Sequence, residues 1–205
     1  MLDDGAASMA ESVALARYQA KWGFRRVVCT SHRVAKYPNE PDSVIQACEA
    51  LQEELIKQDI PLELTPSMEY RLIPETWPET LKNGWLLPWE GNHILIELPI
   101  HKASRIGHIV PEDEIKRLLD MGYQPVLAHP ERYLYLDMER YLSLKEAGAL
   151  FQRNIGSKEG LYGEAVSQRA HELQALYDTR GTDLHNEKYA HFFDSIGLQA
   201  ANIDL

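Results

Sequence analysis

The sequence predicts an α/β fold in which parallel strands curl into a barrel, and three observations lead there. Helical and strand-like patterns alternate along the chain. The strand candidates are short apolar runs, and several end abruptly in histidine or acid. The plainest is Gln124-Pro125-Val126-Leu127-Ala128-His129-Pro130-Glu131-Arg132, where Pro130 keeps a helix from running on through the ionisable residues. In α/β barrels the strand interiors fill the core, and the residues just past their C-terminal ends line the active site.

Taken in order, Ser8 and Glu11 form a capping-box pair, and Met9, Val13, Ala16 and Ala20 recur at helical spacing until Gly23. Residues 26–30 read as a buried strand that runs into Ser31-His32. A polar loop with Pro38 and Pro41 follows, and Asp42 is positioned to cap a second helix with the stripe Val44, Cys48, Leu51 and Leu55. Residues 62–65 form the next strand, with Ser67-Met68-Glu69 beyond it. A short helix is expected over 74–82, ended by Gly84, and Trp77, Trp85 and Trp89 read as packing residues. Residues 93–97 alternate into a strand that ends at Glu97.

Pro111 opens a helix carrying Ile115, Leu118 and Leu119, which leads through Gly122 to the His129 strand. A helix over 138–147 stops at Gly148, and 150–154 is the strand after it. A helix over 163–175, a strand reaching Asp183-Leu184-His185 and an amphipathic helix over 188–196 complete the chain. Thr179 and Arg180 make that last strand a weak one.

The chain of 205 residues, with 44% hydrophobic and 25% charged residues, has the composition of one globular domain spanning 1–205. A formal charge of -10 argues against nucleic acid as a partner. No apolar stretch approaches membrane-spanning length, so membrane insertion is not expected. Two cysteines, Cys29 and Cys48, read as buried thiols rather than a disulfide framework and fit a reducing cytoplasm.

The residues at the strand ends are His32, Glu69, Glu97, His129, Asn154, Asp183 and His185. Each has an ordinary explanation alone: a hydrogen-bonded histidine, a helix cap at Asp183, a solvated carboxylate at Glu97. Their recurrence at one topological place instead points to a shared cavity rich in N and O ligands, suited to Zn, Mn or Fe. Two or three such ions would offset the repulsion among the carboxylates and could hydrolyse a phosphoester without a covalent intermediate. Arg132 has two readings, a two-point grip on a phosphate or an ion pair with Glu131. The phosphate-loop, dinucleotide, nucleophile-elbow and H-E-x-x-H motifs are all missing, and neither cysteine has the arginine six positions on that a cysteine-dependent tyrosine phosphatase needs.

Asp3-Asp4-Gly5, Cys29-Thr30-Ser31-His32, Met68-Glu69-Tyr70-Arg71, Leu95-Ile96-Glu97, Ala128-His129-Pro130-Glu131-Arg132, Phe151-Gln152-Arg153-Asn154 and Gly181-Thr182-Asp183-Leu184-His185 stand in a telling order. Nearly the whole chain resembles the bacterial PHP-type (polymerase and histidinol phosphatase) tyrosine-protein phosphatases of the CpsB/CapC/YwqE group. The resemblance implies a distorted (β/α)7 TIM-like barrel with two or three divalent metal ions, Mn, Fe or Zn. It also implies dephosphorylation of a tyrosine kinase, at its C-terminal tail, that controls capsule or exopolysaccharide synthesis. By position it makes His32, His129 and His185 histidine ligands, Glu69 and Glu97 carboxylate ligands with one of them bridging, and Asp183 the ligand of the last strand. It makes Arg132 the phosphate-binding arginine, with His129 and His185 beside it in catalysis.

The family begins with a strand carrying an H-x-H pair ahead of D-D-G, whereas here Asp3-Asp4-Gly5 stands at the start. The expectation is a barrel without its first strand, with one metal position weakened and a site built on His32, Glu69, Glu97 and His129. Unpaired strand edges would then lower stability and favour homo-oligomers. Two other readings stand beside the tyrosine phosphatase: a phosphoesterase for a small metabolite such as histidinol phosphate, and an inactive PHP domain that binds a kinase tail.

Overall fold

The computed structural model describes residues 2–101 and 103–202. Its centre is a curled seven-stranded sheet, in effect a half-barrel. The strands are β1 (Arg26–Val34), β2 (Tyr37–Pro38), β3 (Glu63–Arg71), β4 (His93–Glu97), β5 (Gln124–Ala128), β6 (Leu150–Asn154) and β7 (Thr179–Gly181). They lie in the order β2-β1-β3-β4-β5-β6-β7, all parallel except β2, which turns back against the end of β1. The helices are α1 (Met9–Lys21), α2 (Pro41–Lys57), α3 (Trp77–Asn83), α4 (Pro111–Asp120), α5 (Met138–Glu146), α6 (Glu164–Glu172) and α7 (Glu187–Ser195).

Local chemistry explains most element boundaries. Ser8 caps α1 by accepting from the Glu11 amide, while the Glu11 carboxylate reaches back to the Ala7 amide at 2.7 Å, one residue earlier than a capping box requires. For α2 the expected Asp42 cap is corrected. Pro41 already occupies the first helical turn, so Glu40 is the cap and exchanges hydrogen bonds with Ser43. Gly84 and Gly148 end α3 and α5 with φ of 66° and 106°, a region closed to most side chains.

The main surprise is the length of β1 and β3. Both run past the expected ends because their parallel ladder continues unbroken from Arg26↔Glu63 to Arg33↔Tyr70, and it carries Ser31-His32 and Ser67-Met68-Glu69 inside the strands. Pro66 is tolerated within β3 because β4 joins that strand only from Glu69 onward, which leaves one edge without ladder partners at the proline. β7 has only three residues, in keeping with its polar sequence. β2 lies in what the sequence marks as polar loop.

Strand alternation divides the apolar residues between two faces. Met68, Tyr70, Ile94, Ile96, Leu127 and Phe151 point outward into the main core under α3 to α6. Leu95, Val126 and Ala128 point inward and pack with Trp89. Arg33 also points outward, buried against Thr80 and Glu79 and stacked on the Trp85 ring, so Trp77, Trp85 and Trp89 all pack. Further clusters join α1 to α7 through Leu15, Trp22 and Phe193, and α1 to α2 through Val13, Ala16 and Leu55. Cys48 is buried and Cys29 half-buried, both as free thiols.

Among the described residues no strand pairs with the outer edge of β7, and β1 is covered on its outer side only by β2 at Arg33 and Val34. A cavity of about 650 Å³ opens between β1 and β7 and reaches Glu69 and His129.

Candidate metal centre

The two-residue repeat that sends Met68, Ile94 and Ile96 outward sends Glu69 and Glu97 inward, to the C-terminal end of the half-barrel. His32 arrives beside Glu69 because the two are register partners across β1 and β3. His129 comes from the turn after β5, in the left-handed conformation at φ 34°, and Asp183 after β7 takes φ 49°. Histidine and aspartate tolerate this region better than most residues, and such strain gathers at functional sites.

These side chains converge. His129 Nε2 is 3.1 Å from Glu69 Oε1 and 3.8 Å from Glu97 Oε2. His32 Nδ1 is 3.5 Å from Glu97 Oε1 and 3.8 Å from Glu69 Oε2. On its other side, His32 Nε2 lies 3.5 Å from Asp4 Oδ1, and His185 Nε2 lies 4.0 Å from the same oxygen. Two ligand-like groups result, His32 with Glu69 and Glu97, and His32 with Asp4 and His185, each with donor atoms within 4.8 Å of one another.

Asp183 belongs to neither group but touches the second, its Oδ1 lying 3.3 Å from His185 Nδ1. Its Oδ2 accepts from Asn154 Nδ2 at 2.7 Å, Arg132 Nη1 at 3.1 Å and the Tyr162 hydroxyl at 3.2 Å. Its backbone oxygen lies 2.8 Å from His185 Nδ1, a contact that leaves Nε2 of that ring toward Asp4. Arg132 stacks on the Tyr162 ring at 4.6 Å. The alternative pairing of Arg132 with Glu131 does not form. Glu131 is fully buried and accepts from the Asn154 amide, Ser157 Oγ and the Tyr177 hydroxyl.

The electrostatics of the pocket call for cations. Burial acts most strongly on His32 and would lower its pKa, yet Glu69, Glu97, Asp4 and Asp3 outweigh it and raise the pKa above the ordinary value. Burial opposes His129 in the same way, and the Glu69 hydrogen bond and charge override it. Burial and the Glu69 charge push the Glu97 carboxyl up, whereas His129 and His32 overcome burial to hold Glu69 below its ordinary value.

The donor atoms themselves provide the test of fit. Among the buried side-chain atoms without a hydrogen-bond partner are His32 Nδ1 and Glu97 Oε2 of this cluster, whereas His129 turns Nε2 to Glu69 and Glu97. Buried polar atoms are normally satisfied, so imidazole and carboxylate atoms left bare beside one another match the ligand set of a divalent cation.

Comparison with known proteins agrees with this geometry. The family model described as capsular polysaccharide synthesis, CpsB/CapC, matches residues 1–191. The chain belongs to the CpsB/CapC family. It is 34% identical over 197 residues to the tyrosine-protein phosphatase YwqE of Bacillus subtilis, covering 93% of this chain and 76% of that protein. It is 28% identical over 199 residues to the tyrosine-protein phosphatase CpsB of Streptococcus pneumoniae, covering 90% and 79%. Its fold matches a crystal structure from a study of YwqE and CpsB, described there as unique metal-dependent tyrosine phosphatases, with a TM-score of 0.81 at 33% identity over 92% of this chain and 77% of that one. The architecture is therefore the CpsB/CapC fold, built here on the half-barrel.

Of the residues expected at the CpsB/CapC site, His32, Glu69, Glu97 and His129 come together, His185 joins through Asp4, and Asp183 lies with Arg132. Sequence reasoning gave no role to Asp4 or Arg71. Asp4 stood in a recognised motif, but only folding brings it to His32 and His185. Arg71 follows Glu69 by two positions on the same strand face, a signal that was legible.

Proposed function

We propose that this chain is a metal-dependent protein-tyrosine phosphatase, a single metallophosphatase domain over 1–205 acting on a phosphotyrosine protein in capsule or exopolysaccharide synthesis. The observation that carries the reading is the buried convergence of His32, Glu69, Glu97 and His129 with donor atoms left bare. The partner that fits is the tail of a bacterial tyrosine kinase, since relatives of the same architecture are tyrosine-protein phosphatases of a capsule-synthesis family. Manganese, iron or zinc suits an N and O ligand set. The PHP label, a cytoplasmic location compatible with two free thiols, and self-association through open strand edges belong to the same reading.

Bound divalent cations would supply a nucleophile from water at neutral pH and neutralise charge on the phosphoryl oxygens. His32, Glu69, Glu97 and His129, with Asp4, His185 and Asp183 around them, are the residues that would hold them. Arg132, braced by the Tyr162 ring and at present paired with Asp183, is placed to take the phosphate in a two-point grip. His185, with Nδ1 held against the Asp183 carbonyl, keeps Nε2 turned toward Asp4, where it would complete a ligand set with Asp4 and His32.

The test is metal content together with hydrolysis of a phosphotyrosine peptide and of histidinol phosphate by the same preparation. Metal-dependent turnover of the peptide alone is the expected result. Preference for histidinol phosphate would replace the protein substrate with a small metabolite, and metal-loaded, peptide-binding protein without turnover would leave a binding module.

A further inference from the structure

Arg71 is the last residue of β3 and the register partner of Glu97, the last residue of β4. Because it follows Glu69 by two positions it shares the inner face of the sheet, so its guanidinium reaches across the rim to the neighbouring carboxylate. The contact is one-sided. Nε at 2.7 Å and Nη2 at 2.6 Å both fall on Glu97 Oε1. The other oxygen, Oε2, is buried without a hydrogen bond and lies 3.8 Å from His129 Nε2.

A carboxylate at the end of three rotatable bonds has no reason to hold that orientation by itself. We propose that Arg71 is a positioning residue that holds Glu97 by Oε1 and thereby presents Oε2, with its lone pairs free, to a divalent cation between His32, Glu69 and His129. This rests on the metal-dependent reading above and deepens it. The planar fork of arginine suits the task because two of its donors act in one fixed direction, whereas a lysine ammonium would hold the charge but not the angle. Partners of this kind behind metal ligands typically contribute 10–100-fold to metal affinity.

The experiment uses the full chain as wild type, R71Q and R71K, freed of metal by chelation and titrated with Mn²⁺ against a fluorescent chelator. Co²⁺ absorption reports the coordination, and thermal melting of the metal-free proteins reports the fold. The expected result is Mn²⁺ affinity about 10–100-fold weaker in R71Q, an altered Co²⁺ spectrum, and metal-free melting within a few degrees of wild type. R71K is expected to remain several-fold weaker than wild type, and it carries the test alone if R71Q does not fold. Mn²⁺ affinity and Co²⁺ spectra equal to wild type in a folded variant would overturn the role of Arg71 and leave the metal reading standing. Full recovery in R71K would overturn it too, by reducing the effect to charge. A wild-type chain that binds neither ion overturns the metal reading itself, so the two failures are told apart.

Discussion

At the scale of single residues, function and stability separate cleanly within one motif. Arg132 pairs with Asp183 and Glu131 turns into the core, although they are adjacent in the chain. R132A is expected to lower kcat/KM on a phosphotyrosine peptide by about 10²–10³-fold, the usual effect of removing one pre-placed donor to a developing anion. R132K should recover only part of it, because one ammonium cannot replace a two-point grip; full activity in R132A would remove Arg132 from the reaction. The pocket histidines set a pH dependence of their own. In metal-free protein His32 and His129 have folded pKa values above the ordinary one of about 6.5. The stability they contribute is fully present below that value and lost as pH rises through the raised folded values, at up to about 1.4 kcal/mol per pH unit for each proton released. Urea unfolding of the metal-free chain should therefore show stability declining as pH is raised from about 6.5 upward, and a stability that climbs there would contradict the charge arrangement described.

At the scale of elements, the turn after β5 is held by buried polar side chains rather than by apolar contact. The Tyr133 hydroxyl donates to the Ala128 carbonyl at 2.9 Å and accepts from the Leu98 amide at 2.9 Å, which locks the end of β5 to the end of β4 and so His129 to Glu97. Glu131 ties the same turn to β6 and to Tyr177 ahead of β7. Y133F is expected to cost about 1–3 kcal/mol, because a buried amide and carbonyl both lose a partner. E131A should cost about 3–5 kcal/mol, because the buried Asn154 amide, the Ser157 hydroxyl and the Tyr177 hydroxyl lose their acceptor together. Denaturant midpoints at unchanged m-value measure both, and equal midpoints for E131A and wild type would show that the turn is held by packing alone.

At the scale of the whole molecule, the half-barrel gathers acids from separate elements around a few histidines, so its stability should depend on bound cations. With metal at 100 times its Kd, binding contributes about 2.7 kcal/mol. For a chain of this size, in which each kcal/mol moves Tm by roughly 2–4 °C, that is a Tm shift of roughly 5–11 °C. Chelation should produce that fall, and re-addition of Mn²⁺ should reverse it; a chain whose melting ignores chelator carries no metal tied to its fold. The open edges of β1 and β7 predict association that grows with concentration, read by light scattering after size exclusion. One molecular mass across a hundredfold concentration range would show the edges to be protected.

The sequence alone determined the order of helices and strands apart from the two-residue β2, because hydrophobic period, capping residues and glycine stops are local properties. It also identified the strand-end histidines and acids, since residues as costly to bury as Glu69, Glu97 and His129 stand out against apolar runs. It misplaced the ends of β1 and β3, because ladder pairing between strands distant in the chain, and not local propensity, carried them through Pro66 and Ser31. Only the tertiary structure decided which carboxylate meets which histidine. Asp4 reached His32 and His185, Asp183 turned to Arg132, and Arg71 claimed one oxygen of Glu97. Those choices depend on how strands of unequal length curl into a half-barrel, and the directions in which side chains meet across that curvature are not written in any one segment.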